Sequence, residues 1–356
     1  MQPFLFGYDF YYLWSVGALL HQGSDPYDVE LLQAQLNVIG WPASEVPQKF
    51  THPINSLWLY WLLAILPFKV ALPMWSFLSV GLVIVSTLVF LRTVVPQGRL
   101  SPPVLILAAA AFPPTLATLI WGQINAVLLS GLAAYALGWT RGCFFRAGLG
   151  LSLLLLKPHI FAPFFVTILI FELCAKRLSC LAGCIAGLLM QLGLSLLIAP
   201  ECLSWYESAL DGIMTESLGL CGATLGQMIE CSSDLRLARP LLLIIGCTGA
   251  MWLARVRGYS LVTLICVVVP LSLCVAPYCW MHSFVVLLPS YLYGLTELGT
   301  HLSERMMRNV IAVGAALSLP LITLGGFHII WIIFSWIIFL CSISLWLKHR
   351  QPRACC

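Results

Sequence analysis

The run LPMWSFLSVGLVIVSTLVFLR, from Leu72 to Arg92, carries no charge before its final arginine. A helix of about 20 apolar residues crosses a bilayer, and it satisfies its own backbone polar groups while doing so. Comparable runs follow at 103–120, 123–139, 147–157 running on to 159–173, 179–199, 240–254, 259–276, 283–296, 309–324 and 328–347. A transmembrane barrel needs alternating strands of about 10 residues, and none is legible. Only 9% of the 356 residues are charged, against roughly 25% in a soluble domain. The fold class is therefore all-α: a polytopic integral membrane helix bundle of about eleven helices.

The bundle reads as a single domain over residues 1–356, with membrane helices in 72–199 and 240–347. Two stretches are hydrophilic: 1–53, read as a first outer loop, and 200–239, read as a long outer loop. The apolar segment from Ile54 to Phe68 is too short to span, so it reads as a re-entrant or interfacial helix. The 14 cysteines are scattered. They match no metal-ligand spacing and behave as small apolar residues in a bundle. No cofactor is expected, with a divalent metal left open. A phosphate-cradling P-loop and a dinucleotide fingerprint are both absent, and nothing points to nucleic acid.

Basic residues orient the chain. With 1–53 and 200–239 outside, the cytosolic side receives 13 of the 18 Lys and Arg, from Arg92 to Arg353. Eleven of the 14 acids then fall in the two outer stretches. This arrangement needs 54–68 not to cross, and a turn near Lys157–Pro158.

Five short polar stretches collect on the outer side: Gly7–Phe10 with Asp9, Thr51–Pro53 with His52, Trp121–Asn125 with Gln123, Lys157–His159, and Ala276–His282 with Trp280. Each has a plain structural reading. Asp9 suits a helix N-cap. His52 suits an interface. Gln123 and Asn125 suit the mending of a broken helix. Lys157 suits snorkelling, and Trp280 with His282 suits an aromatic belt with a polar cap. Taken together they suit chemistry, because ionisable groups at membrane depth are costly and default to function. Lys157 and His282 are suited to an anionic head group. Asp9 is suited to taking a proton from a hydroxyl. The aromatics Tyr8, Tyr11, Tyr12 and Trp14 suit a sugar or lipid head group. Trp205, Tyr206, Glu207 and Asp211 in the long outer loop suit a lid.

These stretches resemble glycosyltransferase family 87 in order and spacing. The residues carrying the resemblance are Asp9-Phe10-x-Tyr12, Gly23-x-Asp25-Pro26-Tyr27-Asp28, Gly122-Gln123-x-Asn125-Ala126, Ala147-Gly148-Leu149 leading to Lys157-Pro158, and Pro277-x-x-Trp280-x-His282 before Leu287-Leu288-Pro289. The resemblance covers about residues 7 to 290 and implies a fold of the GT-C type. It also implies an enzyme of the cell membrane that moves a hexose, usually mannose, from a polyprenyl-phosphate donor to an extracytoplasmic glycolipid or glycan acceptor. It makes Asp9 and His282 the catalytic pair. Tyr12, His52, Gln123, Asn125, Lys157, His159 and Trp280 are then substrate-binding candidates. Members open with a transmembrane helix before the Asp-Phe motif, and the resemblance implies that this chain lacks it. A secondary transporter or a flippase of lipid-linked sugars is the competing class, although no two related halves are visible.

Overall fold

The computed structural model describes residues 6–42, 49–95, 100–219, 238–257, 260–277 and 279–298, with isolated positions at 224 and 305–312. The expected spans 309–324 and 328–347 lie outside the described residues, apart from single positions, as does most of 220–237. The described residues are helical, with no strand among them. Among the described residues, two helices are long and apolar enough to cross a membrane, Phe68–Thr93 and Leu178–Ile198. A third is added if the pair Pro102–Ala111 and Pro113–Trp121 counts as one span. The chain forms two compact units, one of residues 1–86, 116–159 and 176–221, the other of 87–115, 160–175 and 222–356.

In the first unit, 1–53 is not an open loop. It contains α1 (Tyr8–His21) and α2 (Val29–Val38). Helix α1 ends where Gly23, at φ 67°, lets Gly23 N–H and Ser24 N–H turn back to the Leu20 and Leu19 carbonyls. Such a left-handed residue closes a helix by serving its last carbonyls. Asp28 then caps α2, its carboxylate accepting from the N–H groups of Glu30 and Leu31. Gly40, at φ 86°, ends α2 in the same way, with Trp41 N–H donating to the Leu36 carbonyl. The turn delivers the Trp41 ring onto α1, 4.7 Å from Tyr8, 5.7 Å from Tyr11 and 5.0 Å from Tyr12. Trp41 is buried, so three tyrosines and one tryptophan pin the α2 hairpin to the start of α1.

Residues 54–63 form a 3-10 turn (Ile54–Ser56) and the short helix α3 (Leu57–Leu63). The chain then turns into α4 (Phe68–Thr93), with Pro73 near its start. The expected span at 103–120 is covered by helices α5 (Pro102–Ala111) and α6 (Pro113–Trp121), and the chain bends by 56° between them. The cause is local. Phe112 precedes Pro113 and is pushed out of the helical region to φ −62°, ψ 118°, as the proline ring demands of its predecessor.

Helices α7 (Asn125–Thr140), α8 (Phe144–Leu154) and, further along, the spanning helix of residues 178–198 pack closely. Small residues make this possible. A methyl on Gly148 would strike the Cys180 carbonyl, one on Gly183 the Phe145 carbonyl, and one on Gly187 the Ser152 hydroxyl. Within lipid, tight approach of small residues is what drives helix association. Helix α8 stops at Leu154, short of the expected 157, and a 3-10 turn (Pro158–Ile160) follows. Lys157 and Pro158 thus lie in a break between helices, where a turn was expected. Helix α9 (Ala162–Cys174) comes next, then α10 (Leu178–Ile198). Within the hydrophilic stretch 200–239, residues 202–219 form helix α11 (Cys202–Gly219).

The second unit contains α5, α9, α12 (Ala238–Arg257) and a helical stretch α13 (Leu261–Val275). Five residues of α13, Leu264–Val268, adopt a π turn. Pro270 lacks an N–H, so the Cys266 carbonyl one turn earlier loses its usual donor. The Ser290 hydroxyl lies 3.5 Å from that carbonyl. The expected helix at 283–296 begins instead as a 3-10 turn, Met281–Leu287, and becomes α-helical as α14 (Leu288–Leu298).

Candidate active site

Asp9 lies in the first turn of α1 but is not its cap. Gly7 holds that position at φ 78°. Gly7 N–H donates to the Ile120 carbonyl at 2.7 Å, tying the start of α1 to the end of α6. A carboxylate in a first helical turn also meets the positive end of the helix dipole. Asp9 is half-buried as a residue, but its Oδ2 is shut off from solvent.

Gln123 follows the α6 end. Gly122, at φ 72°, makes the turn, and its own surroundings forbid a side chain because a Cβ would press on Phe10. The Trp75 indole N–H donates to the Gly122 carbonyl at 2.8 Å and fixes that turn from α4. The Gln123 side chain, aimed by it, hydrogen-bonds the Asp9 carboxylate. Its Oε1 accepts from Lys157 Nζ at 3.0 Å. One carboxamide therefore links an acid and an ammonium that are 148 residues apart in the chain. Gln123 and Lys157 are both buried.

Burial pushes the Asp9 carboxyl up to about 6, with the Gln123 hydrogen bond and the Lys157 charge pulling the other way. An acid tuned toward neutrality is what a general base at physiological pH requires. Two histidines stand in the field of Lys157. His52 is held well below the ordinary histidine range by burial, then by Lys157 and by His159. His159 is lowered to about 3 by burial and by Lys157. Both are thus neutral imidazoles at physiological pH. His52 Nδ1 shares a hydrogen bond with the Tyr60 hydroxyl, and its carbonyl accepts from the Tyr27 hydroxyl at 3.0 Å. Tyr27 in turn meets Tyr206 of α11 edge-on at 5.5 Å.

The first unit thus gathers Asp9, Gln123, Lys157, His52 and His159. Tyr12 lies one turn from Asp9 on α1, its ring against Trp41, and neighbours it on the same helix face. Asn125 begins α7 fully buried, and neither end of its carboxamide has a hydrogen-bond partner among the described residues. Trp280 and His282 belong to the second unit, at the 3-10 turn before α14, where His282 is buried. Sequence reasoning passed over Trp41, Tyr60, Asn55 and Gln191. The two glycine-ended helices around residues 23 and 40 were a usable signal for Trp41. Nothing in the sequence marks the other three. Among the described residues no group of three His, Cys, Asp or Glu is placed to hold a metal ion.

The family-wide pattern of glycosyltransferase family 87 matches residues 50–282. The match takes in His52, Gln123, Asn125, Lys157, His159, Trp280 and His282, and it begins after Asp9. The class is that of a membrane glycosyltransferase. The chain belongs to glycosyltransferase family 87. No curated protein and no solved structure matches it.

Proposed function

We propose that this protein transfers a hexose, mannose by family resemblance, from a polyprenyl-phosphate donor to an extracytoplasmic glycolipid or glycan acceptor in the cell membrane. The observation that carries this reading is the Asp9–Gln123–Lys157 constellation in a family 87 chain. Asp9 takes the proton of the acceptor hydroxyl as its oxygen attacks the anomeric carbon. The bond from that carbon to the phosphate oxygen breaks, and the polyprenyl phosphate leaves from the opposite face with the bonding electrons. The sugar is inverted. Charge develops on the departing phosphate, and a buried ammonium stabilises it far better than a solvated one. Lys157 Nζ donates to Gln123 Oε1, and an ammonium carries three N–H donors in all.

Gln123 touches both groups and so fixes where the ammonium stands relative to the base. Neutral His52 and His159 leave Lys157 the dominant cation of the site. Tyr12 and Asn125 serve the sugar hydroxyls in this reading. His282 as second catalytic group and Trp280 as a sugar contact rest on the resemblance in sequence. The membrane holds the lipid donor, which accounts for a transferase in this setting. A single bundle of about eleven helices, outer face bearing Asp9, agrees with the charge asymmetry of the chain.

Reconstitution in vesicles tests the reading against its competitors. A transferase forms a new glycosidic bond from a lipid-phosphate sugar. A flippase relocates that lipid without forming one, and a secondary transporter moves solute with a gradient. Lipid relocation or solute uptake with no glycosylated product contradicts the proposal.

A further inference from the structure

Helix α10 is apolar throughout its buried face except at Gln191 and Ser195. Both side chains are buried and both reach across to other elements. Ser195 Oγ accepts from the Trp58 N–H of α3 at 3.3 Å. Gln191 does more. Its Nε2 donates to the Ser152 carbonyl at 3.1 Å and to Ser152 Oγ at 3.2 Å. Its Oε1 accepts from Asn55 Nδ2 at 2.9 Å. Asn55 Nδ2 also donates to the Leu155 carbonyl at 3.2 Å.

Those two carbonyls bracket the place where α8 stops. A helix leaves its last carbonyls without intrahelical partners, and in a membrane such groups are costly. Here the chain tightens after Leu154. The N–H groups of Leu155, Leu156 and Lys157 return to the carbonyls of Ser152, Leu153 and Leu154. Gln191 and Asn55 reinforce that tightened turn from outside the helix. Gly187, one turn before Gln191 on the same face of α10, leaves room for Ser152 to approach. The turn so held ends in Lys157, whose Nζ meets Gln123.

We infer that Gln191 and Asn55 are positioning residues for Lys157: their linked carboxamides hold the unwound end of α8 so that the ammonium stands at Gln123. Neither touches the reacting groups. Asn55 acts through the two residues from Leu155 to Lys157, and Gln191 through the five from Ser152. This inference rests on the transferase reading only for its effect on rate. The geometric claim stands apart from it.

The test uses Gln191→Leu, which keeps the volume and adds no polar group to a spanning helix, alongside Lys157→Met and the double variant. Hydrogen exchange needs no activity. In the full-length protein in lipid discs, amides in peptides covering residues 153–161 should exchange about three- to tenfold faster in Gln191→Leu. Peptides covering α7 should be unchanged. In transfer assays with a polyprenyl-phosphate sugar, Gln191→Leu should lower kcat/KM. The double variant should be no worse than Lys157→Met alone, since Gln191 has nothing left to position. A merely structural role predicts losses that multiply. Unchanged exchange at 153–161, exchange raised throughout the protein, or multiplying losses overturns the inference. Selective exchange with a wild-type protein that forms no glycosidic bond upholds the positioning and overturns the transferase reading.

Discussion

Gln123 Oε1 accepts from Lys157 Nζ at 3.0 Å, and the same carboxamide hydrogen-bonds Asp9. One side chain thereby links the two groups. In the proposed mechanism the carboxylate takes a proton while the ammonium steadies the leaving phosphate. Replacing Gln123 by Leu removes both bonds and should lower kcat/KM by more than the loss of either neighbour's hydrogen bond to solvent would suggest. A fall below about tenfold, measured with a lipid-phosphate sugar, would argue against the bridge.

The pH dependence follows from the same trio. Asp9 must be ionised to act, and its carboxyl titrates at about 6. Activity should therefore climb with pH through that value and level off above it. Lys157 and Gln123 both favour the ionised form. Lys157→Met or Gln123→Leu should move the acid limb upward, and a downward move contradicts the assignment. His52 and His159, both held neutral, should contribute no limb of their own near pH 6.

The turn that aims Gln123 depends on Trp75. Trp75→Phe keeps an aromatic ring, though a smaller one, and deletes the indole donor to the Gly122 carbonyl. A buried carbonyl left without its partner costs about 1–3 kcal/mol. A lowered thermal midpoint is expected, together with weakened transfer. Gly122→Ala should be worse, since its φ of 72° and the contact with Phe10 both oppose a side chain.

The glycine seam makes a sharper stability prediction. Gly148→Ala sets a methyl against the Cys180 carbonyl, and Gly183→Ala sets one against that of Phe145. Overpacking of this kind costs about 1–3 kcal/mol, and the helices of residues 125–140, 144–154 and 178–198 should separate or shift. Gly81→Ala, which meets nothing within 4 Å, is the matched control and should leave the thermal midpoint in lipid unaltered.

The sequence made the membrane character legible because hydrocarbon imposes it residue by residue. The helix break around Lys157–Pro158 and the candidate residues Asp9, Gln123 and Lys157 are legible for the same reason: polar groups are rare there. Other features were hidden. The helices at 8–21, 29–38 and 202–219 lie in stretches whose polarity marks them only as outer segments; Asp28 and the glycines at 23 and 40 are the capping signals that set the bounds of the first two. The bend at Phe112 was written in its Pro113 neighbour, and apolar content masked it. Gln191 looked like one polar residue in a greasy helix. Its meaning depends on Asn55, 136 residues away, and no local pattern carries a contact of that range.

The most direct measurement is transfer by Asp9→Asn in reconstituted vesicles. Asparagine keeps the shape and can still hydrogen-bond Gln123, but it accepts no proton. The account predicts a protein that inserts and binds the lipid donor as the wild type does, with turnover reduced by about 10²–10⁴. Turnover within a few-fold of wild type at neutral pH would show that another group removes the proton.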